Sequence, residues 1–130
     1  MEGDEVNVGE TVRTAEWGLE SAAVAEARQA LGLLLRAALR ELSAEPPRTR
    51  DLRQLLGALT VELLDRGEGD LAVGVRRIAR EHRDVLAALL EGYFSRFEPP
   101  FEGDAGELVE KAREIFGELR RVLEGVRELG

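Results

Sequence analysis

The fold class is decided by residues 105–129, which read AGELVEKAREIFGELRRVLEGVREL. Apolar side chains recur in this stretch with alternating spacings of four and three: Leu108, Ala112, Ile115, Leu119, Val122, Val126 and Leu129. This repeat predicts a helix that packs along near-parallel neighbours, with Asp104 as its N-cap. The C-terminal part of the chain therefore indicates a helical bundle.

Four further helices are predicted upstream, and no segment alternates polar and apolar residues as a half-buried strand would. Their predicted ranges are 4–17, 19–43, 50–66 and 71–94. Thr49 and Asp70 are the predicted N-caps of the third and fourth helices. We expect one domain over residues 1–130, an all-α, up-and-down bundle of about five helices.

The scarcity of histidine and cysteine excludes several classes of chemistry. His82 is the only histidine, and there is no cysteine. A thiol nucleophile, a disulfide and a thiol redox couple are therefore impossible. A transition-metal site normally takes several His or Cys ligands, so the composition predicts no metal and no cofactor.

Charge is unevenly distributed along the chain. The net charge of −8 divides into −6 over residues 1–27, +3 over residues 28–83 and −5 over residues 84–130. The acidic total argues against loose, charge-driven nucleic-acid binding, whereas the central third can still present a basic surface. The N-terminus is acidic, and the most apolar run, Ala30–Leu39, is too short and too interrupted to span a bilayer. We expect a cytoplasmic protein without membrane contact.

His82 lies in an arginine-dense stretch of the fourth predicted helix, on the apolar stripe between Ile78 and Val85. One interpretation is a core or interface histidine with one satisfied hydrogen bond. The other is a general acid/base that faces a partner subunit, with Arg77 or Arg76 stabilising phosphate charge. The spacing of the arginines does not decide between the two, because arginine is abundant throughout the chain.

Arginines also cluster at the start of the third predicted helix and along the fourth. Ion pairing with neighbouring acids is the favoured interpretation, and the alternative is a surface that binds phosphate. The phosphate-binding candidates are Arg48, Arg50, Arg53, Arg80, Arg83 and Arg96.

Aromatic side chains cluster where the fourth predicted helix ends, at Tyr93, Phe94 and Phe97. They favour a hydrophobic plug that closes the bundle, and a dimer contact is the alternative. We expect a dimer face that involves the fourth helix, with Leu86, Leu89, Tyr93 and Phe97 at the interface and His82 near it.

Segments of the chain resemble the HEPN superfamily of small all-helical prokaryotic domains over about residues 10–129. They are EARQAL at 26–31 with RAAL at 36–39, PPRTRDL at 46–52, YFSRFEP at 93–99, and the helix at 110–123. The chain departs from the family pattern where Arg50 replaces a His and Glu98 interrupts an Arg-Tyr-Pro triplet. The resemblance implies a helical bundle and a homodimer.

The resemblance also frames the functional hypotheses. Ribonuclease members carry an Arg followed four to six residues later by a His, supplied by both halves of a dimer, and Arg76 or Arg77 with His82 meets that spacing. Here, however, Ile78 follows Arg77 where a polar residue is common, and Asp84 replaces a Tyr. Members without the motif act as binding partners. We therefore expect a non-enzymatic partner of a small nucleotidyltransferase in a two-component, toxin–antitoxin-like system. The alternatives are a metal-independent endoribonuclease that acts on RNA, and a structural bundle without nucleotide affinity.

Overall fold

The structure is a computed structural model that describes residues 24–91 and 105–129. Within these ranges it contains α-helices and no strand, which confirms the all-α prediction. The helices are α1 (Val24–Glu41), α2 (Leu52–Asp65), α3 (Gly69–Glu81), α4 (Arg83–Glu91) and α5 (Ala105–Leu129). The helix predicted over 4–17 lies outside the described residues, as do Tyr93, Phe94 and Phe97.

The core lies between α1 and α5 on one side and the α2–α3 hairpin on the other. Leu31, Leu35, Leu55 and Leu108 are each at most 1% exposed. Burying each such side chain contributes roughly 1.5–3 kcal/mol before the entropy of ordering the chain is counted. The predicted apolar stripe of α5 is buried except at its last position, since Leu129 is 44% exposed.

The first two helices end in the same hydrogen-bonded motif. At the end of α1 the Ala44 N–H donates to the Leu39 carbonyl at 2.9 Å, with Ser43 between them at a φ of 59°. At the end of α2 the Glu68 N–H closes the equivalent bond across Gly67, whose φ is 75°. Glycine adopts this left-handed conformation without steric cost. The tight turn at Gly67 reverses the chain and brings α3 back along α2.

Asp104, the predicted N-cap of the last helix, lies outside the described residues, and the other two predicted N-caps are displaced in the structure. The N-cap of α2 is Asp51, whose carboxylate accepts the Arg53 N–H at 2.9 Å, and Thr49 instead accepts the Asp51 N–H through its hydroxyl at 3.0 Å. Helix α3 begins after Glu68, so Asp70 lies in its first turn. Carboxylate and hydroxyl oxygens are both good caps, and local geometry selected the residue two positions later in one case and two positions earlier in the other.

The helix predicted over 71–94 is interrupted at His82, which separates α3 from α4. The His82 backbone has φ −112° and ψ 26°, and its carbonyl accepts the Leu86 N–H at 2.9 Å. Residues 81–83 include no glycine or proline, so the interruption arises from tertiary contacts rather than from a local helix breaker.

Leu86 and Leu89 are core residues rather than exposed contacts for a second copy. Each is 1% exposed within the single chain, where α4 packs against the other four helices. This corrects the expectation that their side chains form a dimer interface, because an apolar stripe on α4 is already covered by the chain's own core.

Candidate functional site: two grooves that flank α3

Helix α3 separates two surface grooves of different electrostatic character. Adjacent residues on a helix point about 100° apart, so neighbouring side chains reach different sides. Arg76 lines a groove between α2 and α3, whereas Arg77 lines a groove between α3 and α5. The structure thus separates the two arginines that the sequence offered as partners of His82.

The α2–α3 groove has a volume of about 360 Å³ and is lined by Arg53 of α2, Arg76 and Arg80 of α3, and Arg83 of α4. Among the described residues no acidic side chain lines it. The Thr60 hydroxyl at its wall donates to the Leu56 carbonyl at 2.8 Å. Four arginines therefore line the groove, together with uncharged residues of α2 and α3.

The arginines of this groove are differently engaged. The Arg53 Nε lies 3.1 Å from the Asp51 carboxylate, and this hydrogen-bonded guanidinium lowers the pKa of the Asp51 carboxyl below its ordinary value. Arg76, Arg80 and Arg83 are exposed and form no ion pair with any described residue. Ion pairing with neighbouring acids, the favoured interpretation of this cluster, accounts for Arg53 alone within the described chain.

Arg48 and Arg50 lie on a second basic surface, formed by α1 and the α1–α2 loop. A groove of about 500 Å³ there is lined by these residues together with Arg36, Arg40 and one acid, Glu45. Arg36 donates to the Thr49 carbonyl at 2.8 Å, which ties the loop to α1. The predicted phosphate-binding residues are thus divided between two surfaces, and Arg96 lies outside the described residues.

The α3–α5 groove has a volume of about 340 Å³ and a mixed charge. Its charged lining consists of Arg77 and Glu81 from α3 with Glu118 and Arg121 from α5. Leu71, Ile78 and Val122 supply apolar walls. Two acids and two bases in one depression favour ligands that carry both charges, or a dipolar group.

His82 is held beside this second groove. Its Nε2 lies 3.1 Å from the Glu118 Oε2, and its side chain is 13% exposed. Arg77 shares the groove with Glu118, so the structure places His82 close to the side that Arg77 lines and away from the one that Arg76 lines. The histidine interpretation with one satisfied hydrogen bond matches this contact.

Glu118 and Arg121 are site residues that sequence reasoning missed. They are 36 and 39 positions beyond His82, on the one helix that the apolar repeat assigns with most certainty. The apolar repeat shows that both residues lie on the polar face of α5, but it does not show which helix packs beside that face. The sequence therefore gives no sign that they lie next to α3. Glu81, His82 and Glu118 also form a group whose ligand-capable atoms all lie within 4.8 Å of one another.

Comparison with known protein families identifies this all-α domain. The family model of the HEPN domain matches residues 10–124, which is most of the chain. The chain therefore belongs to the HEPN family, as its sequence segments indicated. No curated protein and no solved structure matches it. Within the described ranges, no helix combines the length and apolar content that crossing a bilayer requires.

Proposed function

We propose that this HEPN-family chain is a binding protein that takes up a phosphate-bearing nucleotide or RNA in the α2–α3 groove. In this proposal it acts as the partner of a small nucleotidyltransferase in a two-component, toxin–antitoxin-like system. The observation that carries the proposal is the convergence of Arg53, Arg76, Arg80 and Arg83 on one groove that no described acidic side chain lines. Asp51, the acid beside it, is paired with Arg53 alone among these four.

The chemistry of the groove suits phosphate oxygens. Guanidinium groups donate paired hydrogen bonds to phosphate, and such charge-assisted bonds are about twice as strong as neutral ones. Arg76, Arg80 and Arg83 form no ion pair with described residues. An anion can therefore bind their guanidinium groups without first breaking an ion pair to one of these residues. The chain as a whole carries a net charge of −8 and does not attract anions, so an anion would be attracted by the local positive charge of the groove.

Calorimetry with ATP and fluorescence anisotropy with a short single-stranded RNA test this proposal. The double variant Arg80→Ala/Arg83→Ala should bind at least about tenfold more weakly, because each lost charged hydrogen bond is worth roughly 1.5–3 kcal/mol. Arg127→Ala is the matched control, since Arg127 is an exposed arginine of α5 that lines neither groove. Equal affinities of the double variant and the control would overturn the phosphate-binding role.

The partner and the homodimer form a separate part of the proposal. Within the described residues, the large apolar side chains that remain exposed are Val61, Leu64, Val73 and Leu129. They supply contact area that the core leucines Leu86 and Leu89 do not. Light scattering of the purified chain, alone and mixed with a small nucleotidyltransferase encoded beside it, should give a dimer and a mixed complex. A chain that stays monomeric and does not bind the transferase would contradict the proposed dimer and the proposed partner.

A ribonuclease function is the second candidate, and the position of Arg77 favours it. Arg77 lines the groove that contains Glu118, and Glu118 orients the His82 imidazole. In that mechanism His82 acts as general acid/base for the 2′-hydroxyl of RNA, and Arg77 stabilises the charge on the phosphorane. RNA cleavage that persists in EDTA and disappears in folded His82→Ala would favour this function over binding alone.

A further inference from the structure

Three side chains at the α3–α4 junction and on α5 bring together the donor atoms of a metal site. Glu81 and His82 end α3 and begin the turn to α4, and Glu118 approaches from α5. One atom of each, an imidazole nitrogen and two carboxylate oxygens, lies within 4.8 Å of the other two. None of these three residues lines the α2–α3 groove, so the cluster is separate from the proposed phosphate site.

The separation of His82 and Glu118 matches two ligands of one ion. Zinc-type metal–nitrogen and metal–oxygen bonds of about 2.0–2.2 Å place neighbouring ligand atoms roughly 3.0–3.5 Å apart. The His82 Nε2 and the Glu118 Oε2 are 3.1 Å apart. These two atoms share a hydrogen bond, so a bound ion would take the place of the Nε2 proton, which the neutral imidazole then carries on Nδ1, at nearly the present separation of the two atoms. Glu81 has an exposed side chain that can turn toward the ion.

The backbone holds both of these ligands in place. The His82 N–H donates to the Ile78 carbonyl at 3.1 Å and its carbonyl accepts the Leu86 N–H at 2.9 Å, so the residue is fixed between two helices. Glu118 stands next to Leu119, which is 3% exposed and anchors that turn of α5 in the core. Ligands on rigid elements lose little freedom on binding a metal.

Neither carboxylate is paired with an arginine or lysine of the described residues. Among the described residues Glu118 forms an ion pair with His82 alone, and Glu81 forms none. Arg77 and Arg121 line the adjacent groove without pairing to either glutamate. Their positive charge lowers the affinity of the cluster for a cation, and the open groove lets water complete the coordination shell.

We infer that Glu81, His82 and Glu118 bind one divalent first-row transition-metal ion, such as Zn²⁺. One imidazole with two carboxylates suits Zn²⁺, Mn²⁺ or Co²⁺, whereas Ca²⁺ and Mg²⁺ prefer all-oxygen sites. The site departs from the expectation of no metal, which rested on the number of His and Cys residues. Two glutamates distant in sequence supply the ligands that this count left out.

Titration of the tag-free protein with CoCl₂ and ZnCl₂ tests the inference, with visible absorption for Co²⁺ and calorimetry for Zn²⁺. We expect one ion per chain and Co²⁺ absorption bands that Zn²⁺ abolishes by displacement. Glu118→Gln and Glu81→Gln should each weaken binding by at least about tenfold, since each removes a ligand. Circular dichroism of each variant checks that it is folded.

Glu114→Gln is the matched control. Glu114 is an exposed carboxylate one turn before Glu118 on α5, where it lies 3.6 Å from the Lys111 amine. Full binding by this variant, together with its loss in Glu118→Gln, supports the site. Failure of the folded wild type to bind either ion, or equal affinities of Glu118→Gln and Glu114→Gln, overturns it. ATP and RNA binding measured in EDTA is independent of this result, so the two proposals fail separately.

Discussion

The two grooves beside α3 differ in charge although they share a helix. The α2–α3 groove is lined by four arginines with no described acid, whereas the α3–α5 groove balances Arg77 and Arg121 against Glu81 and Glu118. The difference shows that arginines close together in the sequence do not necessarily form one basic surface. The helical rotation of about 100° per residue divides the run between two environments.

The neighbouring helix decides the character of each groove. Across the α2–α3 groove stands Arg53, which adds a further positive charge. Across the α3–α5 groove stands Glu118, which binds His82 at 3.1 Å. The same helix α3 therefore borders a basic groove on one side, where we propose that anions bind, and a groove of mixed charge on the other, beside the proposed metal site.

The largest expected effect concerns α4, which follows α3 directly and packs against the four other described helices. Leu86→Asp should unfold the chain, because an unpaired carboxylate replaces a side chain that is 1% exposed. The cost should exceed about 4 kcal/mol, a large share of the stability of a small domain. Circular dichroism and urea unfolding provide the measurement.

Leu64→Asp is the control for this substitution. Leu64 is 53% exposed on α2 within the single chain, so at a concentration where light scattering shows a monomer the same change there should alter the free energy of unfolding by no more than about 0.5 kcal/mol. A Leu86→Asp protein that folds as a monomer would show that Leu86 belongs to a subunit interface instead of the core.

A smaller effect is expected at Asp51, which caps α2 and holds Arg53 at the rim of the α2–α3 groove. Asp51→Ala removes the cap and should cost about 1 kcal/mol. Asp51→Asn retains a capping oxygen and removes only the charge, so it isolates the ion pair with Arg53. Thermal unfolding of the three proteins as a function of pH makes the comparison.

The sign of the pH dependence follows from the lowered pKa of the Asp51 carboxyl. A carboxyl with a lower pKa when folded stabilises the protein fully above its unfolded value and loses that contribution as the pH falls through its folded pKa. The stability difference between wild type and Asp51→Asn should therefore be constant above about pH 5 and shrink below it. A difference that persists unchanged in acid would contradict the ion pair's role.

The smallest expected effects compare a glycine beside each groove. A Cβ added at Gly57, in the wall of the α2–α3 groove, meets nothing within 4 Å. Gly57→Ala should thus stabilise α2 by about 0.5–1 kcal/mol. At Gly125 of α5 the added Cβ would lie 2.9 Å from Leu71 Cδ2, in the wall of the α3–α5 groove.

Because Leu71 must move, Gly125→Ala should gain less than Gly57→Ala. The atom that must move, Leu71 Cδ2, is the end of a flexible side chain. The free energy of moving it should therefore cancel the gain in helix propensity from Gly to Ala without exceeding that gain by much. Chemical denaturation of both variants measures the two gains, and equal gains would show that Leu71 does not approach α5 as closely as described.

The fold could be predicted wherever one apolar pattern dominates a helix. For α5, both its limits and its buried stripe followed from the spacing of Leu108, Ile115 and the residues between and after them. The break at His82 could not be predicted, because the apolar positions on either side continue one stripe and no helix breaker separates them. The sequence predicted Thr49 as the N-cap of α2, whereas the structure has Asp51 there.

The candidate site could be predicted in composition but not in arrangement. The sequence placed Arg53 in one group of arginines and Arg80 and Arg83 in another, and the structure brings these three residues to one groove. Their separation from Arg48 and Arg50, and the approach of Glu118 to His82, depend on how helices pack side by side. The spacing of residues within one helix does not show which face of a neighbouring helix those residues contact.

The central claim is that anions bind the α2–α3 groove, and one pair of adjacent substitutions tests it most directly. ATP affinity should be measured by calorimetry, at low salt with EDTA, for Arg76→Ala and Arg77→Ala. We predict that Arg76→Ala weakens binding about tenfold, through loss of a charged hydrogen bond, and that Arg77→Ala changes it less than about twofold. A larger loss in Arg77→Ala than in Arg76→Ala would contradict the account and move the anion site to the groove beside His82.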